Sequence, residues 1–110
     1  MRNGLLGMAA LGLVLGAGAR AADLPVIPVT IKDHHFDPAE IHVKAGQPTI
    51  LQVTNADGTA EEFESGQLAI EKVIAPGATA KVRLRPLGPG RYNFIGEYHE
   101  DTAKGVIVSE

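Results

Sequence analysis

The chain has 110 residues, a formal net charge of −3, no Cys and no Trp. This is the length of one domain. The lack of cysteine excludes a disulfide framework, a thiolate metal ligand and a thiol nucleophile. The acidic balance argues against nucleic acid or an anionic lipid surface as partner. Met1–Ala21 carries one early charge, Arg2, an apolar run from Leu5 to Ala17, and a small-residue end at Ala19-Arg20-Ala21. That layout is a secretory signal peptide, with an uncleaved anchor as the alternative. The run falls short of the ~20 residues of a membrane span, so no span is expected after cleavage. Both methionines and two basic residues lie in this segment. The mature domain, residues 22–110, would therefore contain no sulfur atom and carry a larger negative charge.

The mature chain predicts short strands with turn signals between them. Val26–Lys32 alternates, with Val29 and Ile31 on one side. Asp33–Pro38 is a break. Glu40–Lys44 sets Ile41 and Val43 against His42 and Lys44, and Ala45-Gly46-Gln47-Pro48 forms a turn. Thr49–Asn55 follows, then a loop of turn formers at Asn55–Gly58. Glu62–Ser65 is a short extended piece around Phe63. Leu68–Ile74 is a strand or a strand with a turn, and Ala75–Gly77 is a turn. Thr79–Leu84 alternates, Pro86–Gly90 is a turn, and Arg91–Glu97 places Tyr92 and Phe94 on one face. Tyr98–Lys104 is a polar loop, and Gly105–Ser109 is the last strand. No stretch has a sustained helical period. Seven to eight short strands predict an all-β, antiparallel Greek-key β-sandwich.

A hairpin between Glu40–Lys44 and Thr49–Asn55 would bring Asp33–Phe36 near Asn55–Glu62. If Arg91–Glu97 runs in the direction of Thr49–Asn55, its exit loop joins the same end. Asp33-His34-His35, Glu61-Glu62-Phe63-Glu64 and Glu97-Tyr98-His99-Glu100-Asp101 would then share one pole. Imidazoles and carboxylates gathered there suit iron, manganese, zinc or Cu(II). The competing explanation is a solvated acidic rim. Ser65 and Ser109 are the only serines, and neither has the context of a hydrolase nucleophile.

Phe36-Asp37-Pro38-Ala39-Glu40-Ile41, Val43-Lys44-Ala45-Gly46 and Val53-Thr54-Asn55 resemble the first half of a cupredoxin-like domain. Pro76-Gly77, Pro89-Gly90-Arg91-Tyr92-Asn93-Phe94, His99 and Lys104-Gly105-Val106-Ile107-Val108 resemble the second half. The resemblance covers Val26–Glu110. It puts the first copper-ligand His near Glu61 or Glu62, the ligand Cys near Gly96, and the axial Met near Ala103 or Thr102. Only His99 matches a ligand position. A blue-copper centre needs a thiolate with imidazoles, so this chemistry is excluded. A narrower resemblance runs through Asp33-His34, Glu61–Ser65, Glu71–Ile74 and Gly96–Ala103. These strings are similar to the periplasmic cupredoxin component of bacterial ferrous-iron permease systems and to cupredoxin-like domains of periplasmic iron-uptake proteins.

That resemblance implies a periplasmic protein binding iron or copper, with manganese as an alternative, and passing iron to a permease or another uptake component. His99, Glu62, Glu97 and His34 are the expected metal ligands. Turn or capping roles compete for His34, and a loop hydrogen bond for His99. Glu61, Glu64, His35 and Asp101 are weaker candidates. Glu71 has a salt bridge as its plain alternative. His42 belongs to a solvent face, and Arg83, Arg85 and Arg91 form either a partner face or solvated strand faces. Two functions remain beside simple metal binding. One is assistance to Fe(II) oxidation, as in a ferroxidase. The other is a metal-free interaction module docking on a membrane transporter, which the loss of three ligand positions favours.

Overall fold

The computed structural model describes residues 23–110, so the expected signal peptide at Met1–Ala21 lies outside the described residues. Among the described residues nine strands form: β1 Val26–Lys32, β2 His35–Asp37, β3 Glu40–Val43, β4 Thr49–Asn55, β5 Glu61–Ser65, β6 Ile70–Ile74, β7 Thr79–Leu84, β8 Gly90–Gly96 and β9 Lys104–Ser109. They build two sheets, ordered β2-β1-β4-β7 and β3-β9-β8-β5-β6. The β-sandwich is as expected, with one strand more because His35–Asp37 pairs with the end of β1. Among the described residues no helix is long and apolar enough to cross a membrane.

The sheets are mixed. β1 runs parallel to β4, and β3 runs parallel to β9. The hairpin expected between Glu40–Lys44 and Thr49–Asn55 does not form, because β3 and β4 belong to different sheets. The intervening turn crosses the sandwich instead. Gly46 takes φ +80 there, and its N–H donates to the Leu87 carbonyl at 2.9 Å. The polar convergence survives by another route. Parallel pairing aligns Ile31 with Asn55, so the exits of β1 and β4 lie side by side.

Alternation decides which side chains enter the core. In β4, Leu51 and Val53 are buried, and in β1, Val29 and Ile31. Phe36, Phe63 and Phe94 meet between the sheets, with ring centroids 4.8–5.8 Å apart in edge-to-face and stacked pairs. The core includes Ala103. Asn55 is buried and fully used: its Nδ2 donates to the carbonyls of Thr59 (2.9 Å) and Ile74 (3.1 Å), and its Oδ1 accepts from Asp57 N–H. This brace fixes the loop that leads into β5.

Candidate metal centre

β5 sorts four polar side chains by parity. Phe63 faces the core, so Glu61 and Ser65 face inward with it, and Glu62 and Glu64 stand on the outer face. Two adjacent glutamates thus have different surroundings.

Glu61 is 1% exposed. Its Oε1 accepts from the N–H groups of Glu62 (3.0 Å) and Tyr98 (2.9 Å), and its Oε2 lies 2.6 Å from His99 Nδ1. These bonds satisfy a carboxylate that burial would otherwise destabilise. Opposite it lies Gly96, where a Cβ would fall 2.7 Å from Glu61 Cδ and 2.7 Å from Ala103 Cβ. A side chain at residue 96, cysteine included, has no room. Gly96 N–H donates to the Ala103 carbonyl at 2.9 Å, and this bond draws the two backbones together. His99 ends a 3-10 turn over Glu97–His99. Its ring stacks on His34, with centroids 3.5 Å apart and planes 12° apart. His34 is held by a tight β1–β2 hairpin turn in which Asp33 and His34 both have positive φ, 52 and 60. The turn is clamped by Asp57, whose Oδ1 and Oδ2 accept the N–H groups of Asp33 (2.7 Å) and His34 (3.0 Å). The His34 N–H bond in particular holds the Asp57 carboxyl below its ordinary pKa.

On the outer face, carboxylate oxygens of Glu62, Glu64 and Glu97 all lie within 4.8 Å of one another. Glu64 faces Glu71 directly across the β5–β6 pair. Glu64 Oε1 is buried and has no hydrogen-bond partner. The Glu62 pKa is pushed up to about 7, first by a hydrogen bond shared with Glu97, then by desolvation and by the neighbouring charges of Glu97, Glu71 and Glu64. Glu64 is shifted upward for the same leading cause, its contact with Glu97. Like charges held this close do not all ionise at once unless a proton or a cation sits among them.

The expected set is therefore divided. Glu62 and Glu97 are brought together, joined by Glu64. His99 and His34 are brought together a step away, outside that group of three. Glu97, His34 and His99 line one open cleft of about 640 Å³ with Tyr98, Glu100, Asp101 and Thr102. Glu61 and Glu64 carry more of the arrangement than weaker candidates would, and the alternation around Phe63 is the signal that sends Glu61 inward and Glu64 outward beside Glu62. Asp57, one of the turn formers of the Asn55–Gly58 loop, also clamps the β1–β2 turn. His35 binds the Asp33 carbonyl through Nδ1 at 2.8 Å. His42 lies on the solvent face as expected, between Glu40 (2.8 Å) and Glu110 (3.3 Å). Arg83 and Arg85 flank or belong to β7, while Arg91 belongs to β8 in the other sheet, so these three do not share one sheet face.

Residues 5–109 match the cupredoxin-like domain family. The chain belongs to that family. A Rickettsia prowazekii relative, uncharacterized protein RP394, is 43% identical over 82 residues, covering 74% of this chain and 66% of its own length. The iron uptake system component EfeO of Yersinia pseudotuberculosis is 33% identical over 79 residues, or 69% of this chain and 21% of EfeO. EfeO of Escherichia coli is 35% identical over 80 residues, with the same shares. This chain thus spans just under two thirds of the first relative and about a fifth of the EfeO proteins. Among solved structures, it is similar to the metal-binding domain of the Cu(I)-exporting ATPase CopA of Streptococcus pneumoniae, with TM-score 0.70, 20% identity, and 77% and 84% of the two chains covered. Auracyanin of Roseiflexus castenholzii gives TM-score 0.62 and 17% identity, with coverage of 84% and 99%. These likenesses establish the cupredoxin fold.

The fold family implies copper. The residues at the expected copper position do not fit it: no thiolate is present, and Glu61 fills the space against Gly96 and Ala103. The outer carboxylates are a different donor set, all oxygen, and suit a harder cation.

Proposed function

We propose that this protein is an exported, periplasmic metal-binding accessory of iron uptake, which takes iron as its cargo and passes it to a permease or another uptake component. The observation that carries this reading is the convergence of Glu62, Glu64 and Glu97 within 4.8 Å, with one buried Glu64 oxygen lacking a partner. The similarity to EfeO points to iron. In this reading the three carboxylates hold the cation. His99 and His34 stand at the adjoining cleft, where an imidazole can join the coordination sphere during entry or exit. An oxygen-rich set prefers Fe(III) over Fe(II) and so favours the oxidised ion. Manganese and Cu(II) are the competing cations. The surrounding negative field speeds the arrival of positive ions.

Calorimetry with Fe(II) under anaerobic conditions, Mn(II) and Cu(II) tests the reading. One equivalent bound by the full chain, with loss of binding in Glu62→Gln/Glu64→Gln, supports it. No heat with any ion overturns it. Oxygen consumption with excess Fe(II) separates turnover from stoichiometric binding.

A second reading, a metal-free docking module, draws on the filled copper position and on the exposed side chains of Tyr98 and Val73. Tyr98 follows Glu97 in the chain, and Val73 pairs across the strands with Glu62. Absence of binding in the calorimetry would favour this reading.

A further inference from the structure

Glu61 is a buried carboxylate placed where it can neither meet solvent nor, in its present geometry, leave an oxygen for a cation. Oε1 is occupied by two amide donors and Oε2 by His99 Nδ1. Its neighbours across the gap are reduced to Gly96 and Ala103, and a single added methyl at residue 96 would overlap it. The fit is mutual: with the carboxylate in place, a Cβ at residue 96 would force a neighbour to shift, and the space that glycine leaves is the space the carboxylate occupies.

The hydrogen bond also sets the chemistry of His99. A neutral imidazole carries one proton, and the nitrogen that donates is decided by the acceptor it meets. Glu61 Oε1 already accepts two N–H groups, and its Oε2, 2.6 Å from Nδ1, completes an accepting carboxyl that pairs with Nδ1–H. The lone pair of the neutral ring is then confined to Nε2, which has no hydrogen-bond partner among the described residues. His34 stacks on the ring, and the His34 backbone is held through the Asp57 clamp.

We infer that Glu61 is a positioning residue that has taken the place of a metal ion at this pole, closing the inner position and locking His99 as the Nδ1–H tautomer with Nε2 as its one available lone pair. The same type of contact orients histidines in metal sites, where a carboxylate grips the nitrogen that is not a ligand. Here it makes His99 a one-sided base: Nδ1 is committed inward, and Nε2 is left for an ion or a proton. This inference does not depend on the outer carboxylates binding a cation.

The test is nitrogen-detected NMR on the full-length protein, with pH raised until the His99 ring signals stop changing, so that the neutral ring is the form read. The expected His99 spectrum has protonated Nδ1 and unprotonated Nε2, with the Nδ1 proton protected from solvent exchange. Zinc, which is diamagnetic, is then added alone to one equivalent. Persistence of the His99 Nδ1–H signal, with unshifted Gly96 and Ala103 amides, supports closure whether zinc binds elsewhere or not at all. Zinc binding elsewhere is read separately from Glu62 and Glu64 shifts, so failure of the cation reading leaves this one standing. Loss of Nδ1–H together with shifts at Gly96 and Ala103 overturns it, as does an Nε2–H tautomer in the zinc-free protein. In Glu61→Ala, if folded, His99 should lose the single-tautomer signature. An unchanged tautomer in that variant contradicts a positioning role. Should the variant not fold, the spectrum of the unaltered protein still decides the tautomer and the zinc titration still decides closure.

Discussion

Glu61 and Glu62 are the same residue type, one position apart on one strand, and the fold uses them in opposite ways. Glu61 points inward, is enclosed by donors and lies against Gly96. Glu62 points outward into a set of like charges, with its carboxyl held partly protonated near neutral pH. The first is a finished arrangement in which every oxygen has a partner. The second is unfinished, with charges in excess of partners and one buried Glu64 oxygen unpaired. A half-turn of strand geometry separates a closed inner position from an open outer one, and the chemistry follows the vacancy of lone pairs rather than the ancestry of the fold.

The largest effect should come from breaking the closed side. Glu61→Ala leaves two amide N–H groups and the His99 Nδ1–H without their acceptor, and the loss should be about 3–5 kcal/mol by denaturant unfolding. A loss below ~1 kcal/mol would mean that these bonds are not formed in solution. Gly96→Ala should cost about 1–3 kcal/mol by overpacking. Part of that cost should vanish in the Glu61→Ala background, and a double-mutant cycle with no coupling would show that the two residues are not in contact.

The open side should behave in the opposite sense. Glu62→Gln should raise the melting temperature near pH 8, where it removes repulsion, and change it little near pH 4.5. The same variant should lower cation affinity about tenfold or more, while His99→Ala should lower it less. A larger loss for His99→Ala would move the imidazole into the inner ligand set.

The pH dependence sharpens the contrast. Glu62 takes up its proton near pH 7 in the fold but near 4.5 when unfolded. Between those values the native state binds more protons. The contribution is fully present below about pH 4.5 and is lost as pH rises through about 7. A cation reverses this by displacing the proton, so added Mn(II) should raise the melting temperature most at the top of that window and least at the bottom. A uniform increase across the window would separate cation binding from the Glu62 proton. The smallest effect belongs to the clamp: Asp57→Ala should cost about 1 kcal/mol and broaden the His34 ring signals.

Much of this arrangement is legible in the sequence. The alternation around Phe63 is enough to place Glu61 and Glu62 on opposite faces, and the small residues Gly96 and Ala103 stand at positions where the resemblance puts sulfur ligands. The convergence at this pole rests on the parallel β1–β4 pairing and not on a β3–β4 hairpin. Local turn signals at Ala45–Pro48 suggest a hairpin, but a four-residue turn serves equally to cross between sheets, and only long-range pairing with β9 distinguishes the two. The parallel pairings are non-local for the same reason. The split between imidazoles and carboxylates was not legible, because it depends on the 3-10 turn at Glu97–His99, which sends these two side chains to different neighbours. The Asp57 clamp rests on two backbone N–H groups in a positive-φ turn, a feature that side-chain identity alone does not announce.

The most direct measurement is anomalous diffraction from a crystal soaked in Mn(II). The account predicts one peak on the outer face, in bonding contact with carboxylate oxygens of Glu62, Glu64 and Glu97, with Glu61 still bonded to His99. A peak between Gly96, Ala103 and His99, with Glu61 swung aside, would contradict it.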